Sequence, residues 1–248
     1  MAPVTRAGGT VERVGAVRSG LVVGALALAG CSAGDGTPTP APRPAVSGTP
    51  EATPPAPTTP AAPQVPAPVV APPPSTSGAP RRAYLTVPAL GLRRVLVRPY
   101  VGTPDDRPGT AIQDAGDLAA PHGSDGLVGP GGVGNYLVTG HRTSSTRPFA
   151  ELPALRPGAR VVVETRGQRL VYEITRTRST SFRRPASLRA QSAAVPGHPA
   201  RTPTRAMITL STCATPEDHA ARNFWSDALD NPEHRIDKIG VLRSVRPL

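Results

Sequence analysis

MITLSTCATPEDH, running from Met207 to His219, decides how this chain is read. Met207 to Thr212 is short and rich in Ile, Leu and Thr, the composition of a strand. It ends on Cys213, just before a polar, Pro-containing stretch. The chain of 248 residues has 2 cysteines. The other, Cys31, lies near the N-terminus beside an apolar run, so the reading turns on what each thiol does if the two do not pair.

Around Cys31 the pattern is that of export. Arg6, Arg13 and Arg18 precede an uncharged run from Ser19 to Gly30, a basic region followed by an apolar one. A membrane span needs about 20 apolar residues and this run is far shorter, so a stable spanning helix is the weaker reading. Leu28-Ala29-Gly30-Cys31 resembles the lipobox of bacterial lipoproteins, in which the signal is cut just before a cysteine that carries a diacylglycerol. On that resemblance residues 1–31 are a lipoprotein-type signal and Cys31 is the lipidated N-terminus of the mature protein. Each buried CH₂ of an acyl chain contributes about 0.8 kcal/mol, so two or three chains would hold the protein durably on a membrane. An ordinary cleaved signal and an uncleaved anchor with a chance cysteine are the alternatives.

Residues 32–80 are Pro, Ala, Thr, Ser and Gly with few charges and only scattered Val. Such a segment cannot bury enough surface to offset its ordering entropy, and its prolines favour extended polyproline II. At about 3 Å per residue it could reach roughly 150 Å, which suits a tether into a cell wall. The remainder, 81–248, is long enough for one core and carries 24 Lys and Arg against 14 Asp and Glu. Its arginines are scattered and aromatic residues make up only 3% of the chain, which argues against nucleic acid. Anionic wall polymers and lipid headgroups are the expected counter-charges.

Short runs of Val, Ile, Leu, Thr and Tyr predict strands over 83–87, 92–97, 135–139, 160–165, 169–175, 207–212 and 235–242. Thr165-Arg166-Gly167-Gln168 predicts a hairpin turn. Helical signal is confined to one or two short pieces, near 148–155 and 217–229. Many strands and few helices predict an all-β fold, a closed barrel or a sandwich. Two long polar segments, 102–134 and 176–205, interrupt the strands, and loops of that length are usually functional or disordered.

An unpaired thiol in an oxidising compartment is either inert and buried or a nucleophile. A nucleophile needs an acid or base nearby and a group that stabilises an oxyanion. Among 5 histidines, His141 stands out, because it ends the apolar run Asn135-Tyr136-Leu137-Val138-Thr139-Gly140 and would emerge at a strand tip, as Cys213 does.

Thr209-Leu210-Ser211-Thr212-Cys213 is similar to the TLxTC signature of bacterial sortases. Gly134-Asn135 leading to Thr139-Gly140-His141-Arg142 resembles the segment around the essential histidine of that family. Leu85-Thr86-Val87-Pro88-Ala89-Leu90-Gly91-Leu92 and Pro148-Phe149…Leu152…Leu155…Pro157-Gly158 resemble its first strands and its short helix, and the class E enzymes of actinobacteria are nearest. The resemblance implies an eight-stranded β-barrel with one or two short helices and a cysteine transpeptidase activity. Cys213 would attack between Thr and Gly of an LPxTG-like or LAxTG-like sorting signal. His141 would protonate the leaving amine, and an amine of a peptidoglycan precursor would resolve the thioester. The family's arginine falls on Arg235 rather than Arg222, although one alignment puts Asp237 at its place, with Arg235 two residues earlier on the same strand face. Thr212 is expected to shape the site. Trp225, in the long segment after Cys213, is expected either to wall the peptide groove or to pack on the barrel.

The partners implied are surface proteins with a C-terminal sorting signal, the peptidoglycan amine, and a membrane through lipidated Cys31, with the protein monomeric and outside the cell membrane. No cofactor is expected, and the Asp-rich stretch 105–125 matches no calcium-loop pattern and reads as a solvated loop. L,D-transpeptidases are a poor rival, since they resemble one another in a His-Gly-Cys segment that is absent here. A peptidase that releases the thioester to water, and an inactive sortase-like binding module, are the other readings.

Overall fold

The computed structural model describes residues 73–123 and 126–248. The expected signal, Cys31 and nearly all of the linker therefore lie outside the described residues. Eight strands close into a barrel: β1 (Ala83–Val87), β2 (Leu92–Val101), β3 (Leu118–His122), β4 (Gly134–Thr139), β5 (Arg160–Glu164), β6 (Gln168–Ser181), β7 (Ala206–Cys213) and β8 (His234–Pro247). Their order is β1-β2-β3-β4-β7-β8-β6-β5, closed by β5 on β1. The sheet is mixed, since β2/β3 and β4/β7 run parallel and the other pairs antiparallel.

Alternation along the strands builds the interior. Leu85 and Val87 of β1, Tyr136 and Val138 of β4, Val161 and Val163 of β5, Tyr172 and Ile174 of β6, and Ile208 and Leu210 of β7 form one buried cluster. Residues two apart share a face, so Asn135, Thr139, Thr209 and Ser211 point outward, yet they too are buried. The cover is the segment around α2 (Pro185–Ser192): Asn135 Nδ2 donates to the carbonyls of Gln191 and Ala193, and Thr209 Oγ1 donates to Asn135 Oδ1.

Three α-helices are present rather than one or two: α1 (Arg107–Asp114), α2 and α3 (Thr215–Ala220). The Asp-rich stretch 105–125, read as a solvated loop, instead contains α1 and β3. Helix α1 is hidden in the sequence by Pro108 and Gly109. Proline is tolerated in a first turn, and a Cβ on Gly109 would lie 2.3 Å from the Tyr100 hydroxyl, so this glycine serves packing. Asp106 caps the helix by accepting from the Gly109 amide. Strand β3 escapes notice because Leu118-Ala119-Ala120-Pro121-His122 has poor strand propensity and is held by its parallel pairing with β2. Residues 176–181, expected to lack a strand, continue β6 beside β8, their polar side chains engaged on the outer face. The turn at 165–168 forms as expected, with the Thr165 amide donating to the Gln168 carbonyl. The helical piece near 148–155 is a 3-10 turn, Leu152–Ala154.

Packing begins several residues before Arg81. The Thr76 amide donates to the Gly131 carbonyl and the Gly129 amide to the Gly78 carbonyl, each at 2.7 Å.

Gly140 tests the packing at the head of the site. A Cβ there would meet Leu118 Cδ2 at 2.4 Å and Phe149 Cδ2 at 2.9 Å, both buried side chains. Gly140→Ala is expected to lower stability by about 1–3 kcal/mol in chemical denaturation.

Candidate active site

Cys213 and Arg235 are brought together by strand register. They face each other across the β7/β8 ladder, the partners of one cross-strand pair. Cys213 shares the outer face of β7 with Thr209 and Ser211, and Arg235 shares that of β8 with Asp237. The Arg235 guanidinium donates through Nη1 to Cys213 Sγ at 2.9 Å. Arg222 lies exposed in the turn after α3, in a left-handed backbone conformation, so Arg235 is the arginine at the thiol. Asp237 sits opposite Ser211, accepting from Thr180 and Gln191 and pairing with Arg178. The alignment that put Asp237 at the arginine's place thus finds a support of the sheet's outer face.

The histidine arrives along the parallel pair. Thr139 registers with Ser211, so His141, two residues further on, comes out beside Cys213 at the same end of the barrel. Thr212 Oγ1 donates to the Gly140 carbonyl at 2.7 Å and the Gly140 amide to the Ser211 carbonyl, tying the two strand ends together. Thr212 is 2% exposed, so its hydroxyl serves this tie and faces no substrate groove. His141 Nε2 lies 2.8 Å from Asp114 Oδ1, at the end of α1. Arg142 reaches back to the Cys213 carbonyl at 3.4 Å and pairs with Glu217 of α3.

Arg235 is 1% exposed and engaged on every side. Nε pairs with Asp105 at 3.0 Å, Nη2 donates to Asn231 Oδ1 at 2.7 Å, and the guanidinium carbon lies 4.3 Å from the centre of the Phe182 ring. Burial would lower its pKa, but Asp105 and the thiol more than offset this and the net direction is up. Burial pushes the Cys213 thiol up, against the pull of Arg235. Burial thus favours the protonated form of the thiol.

A groove of about 730 Å³ opens beside this pair, within the size range of ligand sites. Asp105 and Phe182, which also contact Arg235, line it, whereas Arg235, Cys213 and His141 do not, and Pro104, Leu188, Ala193 and Leu229 make it largely apolar. The segment after Cys213 contributes Asp227 and Leu229 to the lining of this groove. Trp225 is half-buried outside the lining, 5.8 Å from the Arg183 guanidinium.

Sequence reading missed Asp105, Asp114, Asn231 and Phe182. Asp105 and Arg235 are 130 residues apart, and nothing local to Asp105 announces its partner. Among the described residues no cluster of three or more His, Cys, Asp or Glu could hold a metal ion. The described acidic residues of 105–125 have other work: Asp105 binds Arg235, Asp106 caps α1, Asp114 meets His141, and Asp117 pairs with Arg98. Among the described residues no helix is long and apolar enough to cross a membrane.

A closed, mixed barrel with a thiol, an arginine and a histidine at the ends of adjacent strands defines a cysteine-centred barrel protein. The sortase domain profile matches residues 85–228, more than half of the chain, and the protein belongs to the sortase family, whose members are typically extracytoplasmic cysteine transpeptidases. The match stops before Arg235, so the placement of that arginine rests on geometry. None of the curated proteins matches the chain. Among solved structures it is similar to the SrtA sortase of Actinomyces oris, at 18% identity over 71% of this chain and 88% of that one with a TM-score of 0.51, which shows the shared fold. It also aligns with sortase E of Streptomyces avermitilis, at 23% identity over 69% and 93% with a TM-score of 0.49. Sortase E1 of Streptomyces coelicolor, solved with a tripeptide in its active site, aligns at 25% identity over 70% and 93% with a TM-score of 0.47. Membership in the sortase family removes the L,D-transpeptidase rival.

Alkylation of Cys213 by iodoacetamide, followed against pH by peptide mass spectrometry, is expected to show a midpoint above that of a free cysteine. Arg235→Ala is expected to move it higher still, since Arg235 is the cation that stabilises the thiolate.

Proposed function

We propose that the protein is a cysteine transpeptidase of the class E kind that its segments resemble, joining a protein with an LPxTG-like or LAxTG-like sorting signal to a cell-wall amine. The observation that carries this reading is the Cys213–Arg235 cross-strand pair with His141 at the neighbouring strand end. In the first half-reaction the Cys213 proton passes to His141 and the sulfur bonds to the carbonyl carbon between Thr and Gly. Arg235 Nη1, already aimed at the sulfur, donates to the developing oxyanion. As the C–N bond breaks, His141 gives its proton to the leaving amine, and a thioester remains. In the second half-reaction the acceptor amine gives a proton to His141 as its nitrogen bonds to the acyl carbon, the C–S bond breaks, and His141 returns that proton to the sulfur, regenerating the thiol. Asp114 on Nε2 leaves Nδ1 of His141 for these transfers. The apolar groove beside Arg235 is suited to the signal peptide, with Thr212 supporting the site from behind and Trp225 at its margin.

Residues 1–31 act in this reading as the export signal, lipidated Cys31 as the anchor, 32–80 as the tether and 81–248 as the catalytic domain. The active site would then work monomerically on the outer side of the cell membrane, within the wall. The inactive-module reading drew on a displaced arginine, and an Arg235 in contact with the thiol favours the active reading over it.

The full chain incubated with LPxTG-like and LAxTG-like peptides, with and without an amine acceptor, is expected to give amine-joined product, read by mass spectrometry. Cys213→Ala is expected to abolish it, Arg235→Ala to lower kcat by about 10²–10³-fold, and Arg222→Ala to leave it unchanged. Product formed only with water would identify a peptidase instead. No thioester and no cleavage across the panel would identify the binding module.

A further inference from the structure

Arg235 is held by residues outside the Cys–His–Arg set, and the strongest hold is a carboxylate. Asp105 precedes α1 and is buried, its backbone at φ +56°, a left-handed conformation uncommon for a residue other than glycine. Its Oδ2 accepts from Arg235 Nε at 3.0 Å, its Oδ1 accepts from Gln113 Nε2 at 2.8 Å, and its carbonyl accepts from Asn231 Nδ2 at 3.1 Å. Asn231 in turn takes Arg235 Nη2, so one ring of contacts joins the segment before α1, the loop before β8 and the guanidinium. Only the Nη1 corner is left to face Cys213.

We propose that Asp105 is a positioning residue of this site, clamping the Nε edge of Arg235 so that Nη1 stays on the reacting atoms, and offsetting the guanidinium charge beside Cys213. The catalytic consequence rests on the transpeptidase reading; the clamp does not. A donor held before the reaction needs no reorganisation as the oxyanion develops, which is where fixed donors contribute most. The charge consequence is separate. The charged groups acting on the thiol are Arg235 from β8, Asp105 before α1 and Arg142 after β4, while His141 emerges at the neighbouring strand end. Burial raises the thiol most, Arg235 lowers it, and Asp105 raises it again. Removing the Asp105 charge while keeping the arginine therefore makes the thiol more acidic. It also spoils the aim of Nη1, so thiol reactivity and turnover move in opposite directions.

Asp105→Asn is the variant of choice, because asparagine accepts a left-handed backbone. Its single side-chain oxygen cannot serve Gln113 and Arg235 as two carboxylate oxygens do. In the full chain, shown folded by circular dichroism, it is expected to lower kcat for peptide transfer by about tenfold or more, with KM changed by less than about threefold. Alkylation at Cys213, mapped by mass spectrometry at pH 7, is expected to be several-fold faster than in the wild type. Asn231→Ala, which frees the other edge of the guanidinium without removing a charge, is expected to lower kcat without the faster alkylation of Asp105→Asn, and it decides the clamp should Asp105→Asn not fold. Unchanged kcat in a folded variant, or unchanged or slower alkylation in Asp105→Asn, would overturn the proposal. If the wild-type chain transfers no peptide, the transpeptidase reading fails, and the alkylation comparison still decides whether Asp105 sets the charge at Cys213.

Discussion

A guanidinium almost wholly removed from water has to be paired on every edge, and at the head of this barrel Arg235 imposes that demand on all its neighbours. Asp105 comes from the segment before α1, Asn231 from the loop before β8, Phe182 from just beyond β6, and Cys213 from the end of β7. Breaking one partner of a buried ion pair typically costs about 3–5 kcal/mol. The segments that shape the groove are therefore coupled to the residue that faces the thiol. Groove and reactive centre are one packed unit.

That unit stands on an unusual platform. The outer face of β4, β7, β8 and the end of β6 is neither solvated nor apolar. It is a buried polar layer in which Asn135, Thr209, Ser211, Gln191, Thr180 and Asp237 are linked by hydrogen bonds beneath α2, with Gln191 Oε1 alone of their side-chain atoms left buried without a partner. Polar groups buried with their hydrogen bonds made resist sliding, because any shift leaves a donor or acceptor unmet. Strand register places Cys213 opposite Arg235, and the layer behind them holds that register.

The electrostatics follow the same geometry. Burial holds the Cys213 thiol above its ordinary pKa, with Arg235 opposing the rise and Asp105 adding to it. His141 is oriented from a separate element, through Asp114 at the far end of α1. A single short helix, with the residues just before it, thus reaches two of the three groups around the reaction centre.

Seven of the eight strands, the hairpin at 165–168 and the positions of Cys213 and His141 at strand ends were legible in the sequence, because alternation and turn chemistry are local properties. Membership in the sortase family was legible for the same reason, through short contiguous segments such as Thr209 to Cys213. What local pattern could not supply came from distant partners. Strand β3 exists because β2 lies beside it, the end of β6 because β8 and Asp237 receive its polar side chains, and α1 because Tyr100 fills the space at Gly109. Arg235 was legible over Arg222 as the arginine that opens a strand-like run, whereas its contact with the thiol and the parts played by Asp105 and Asn231 belong to tertiary structure alone. A buried charge selects its partners by proximity in space, and the chain brings those partners in from segments that share no sequence pattern.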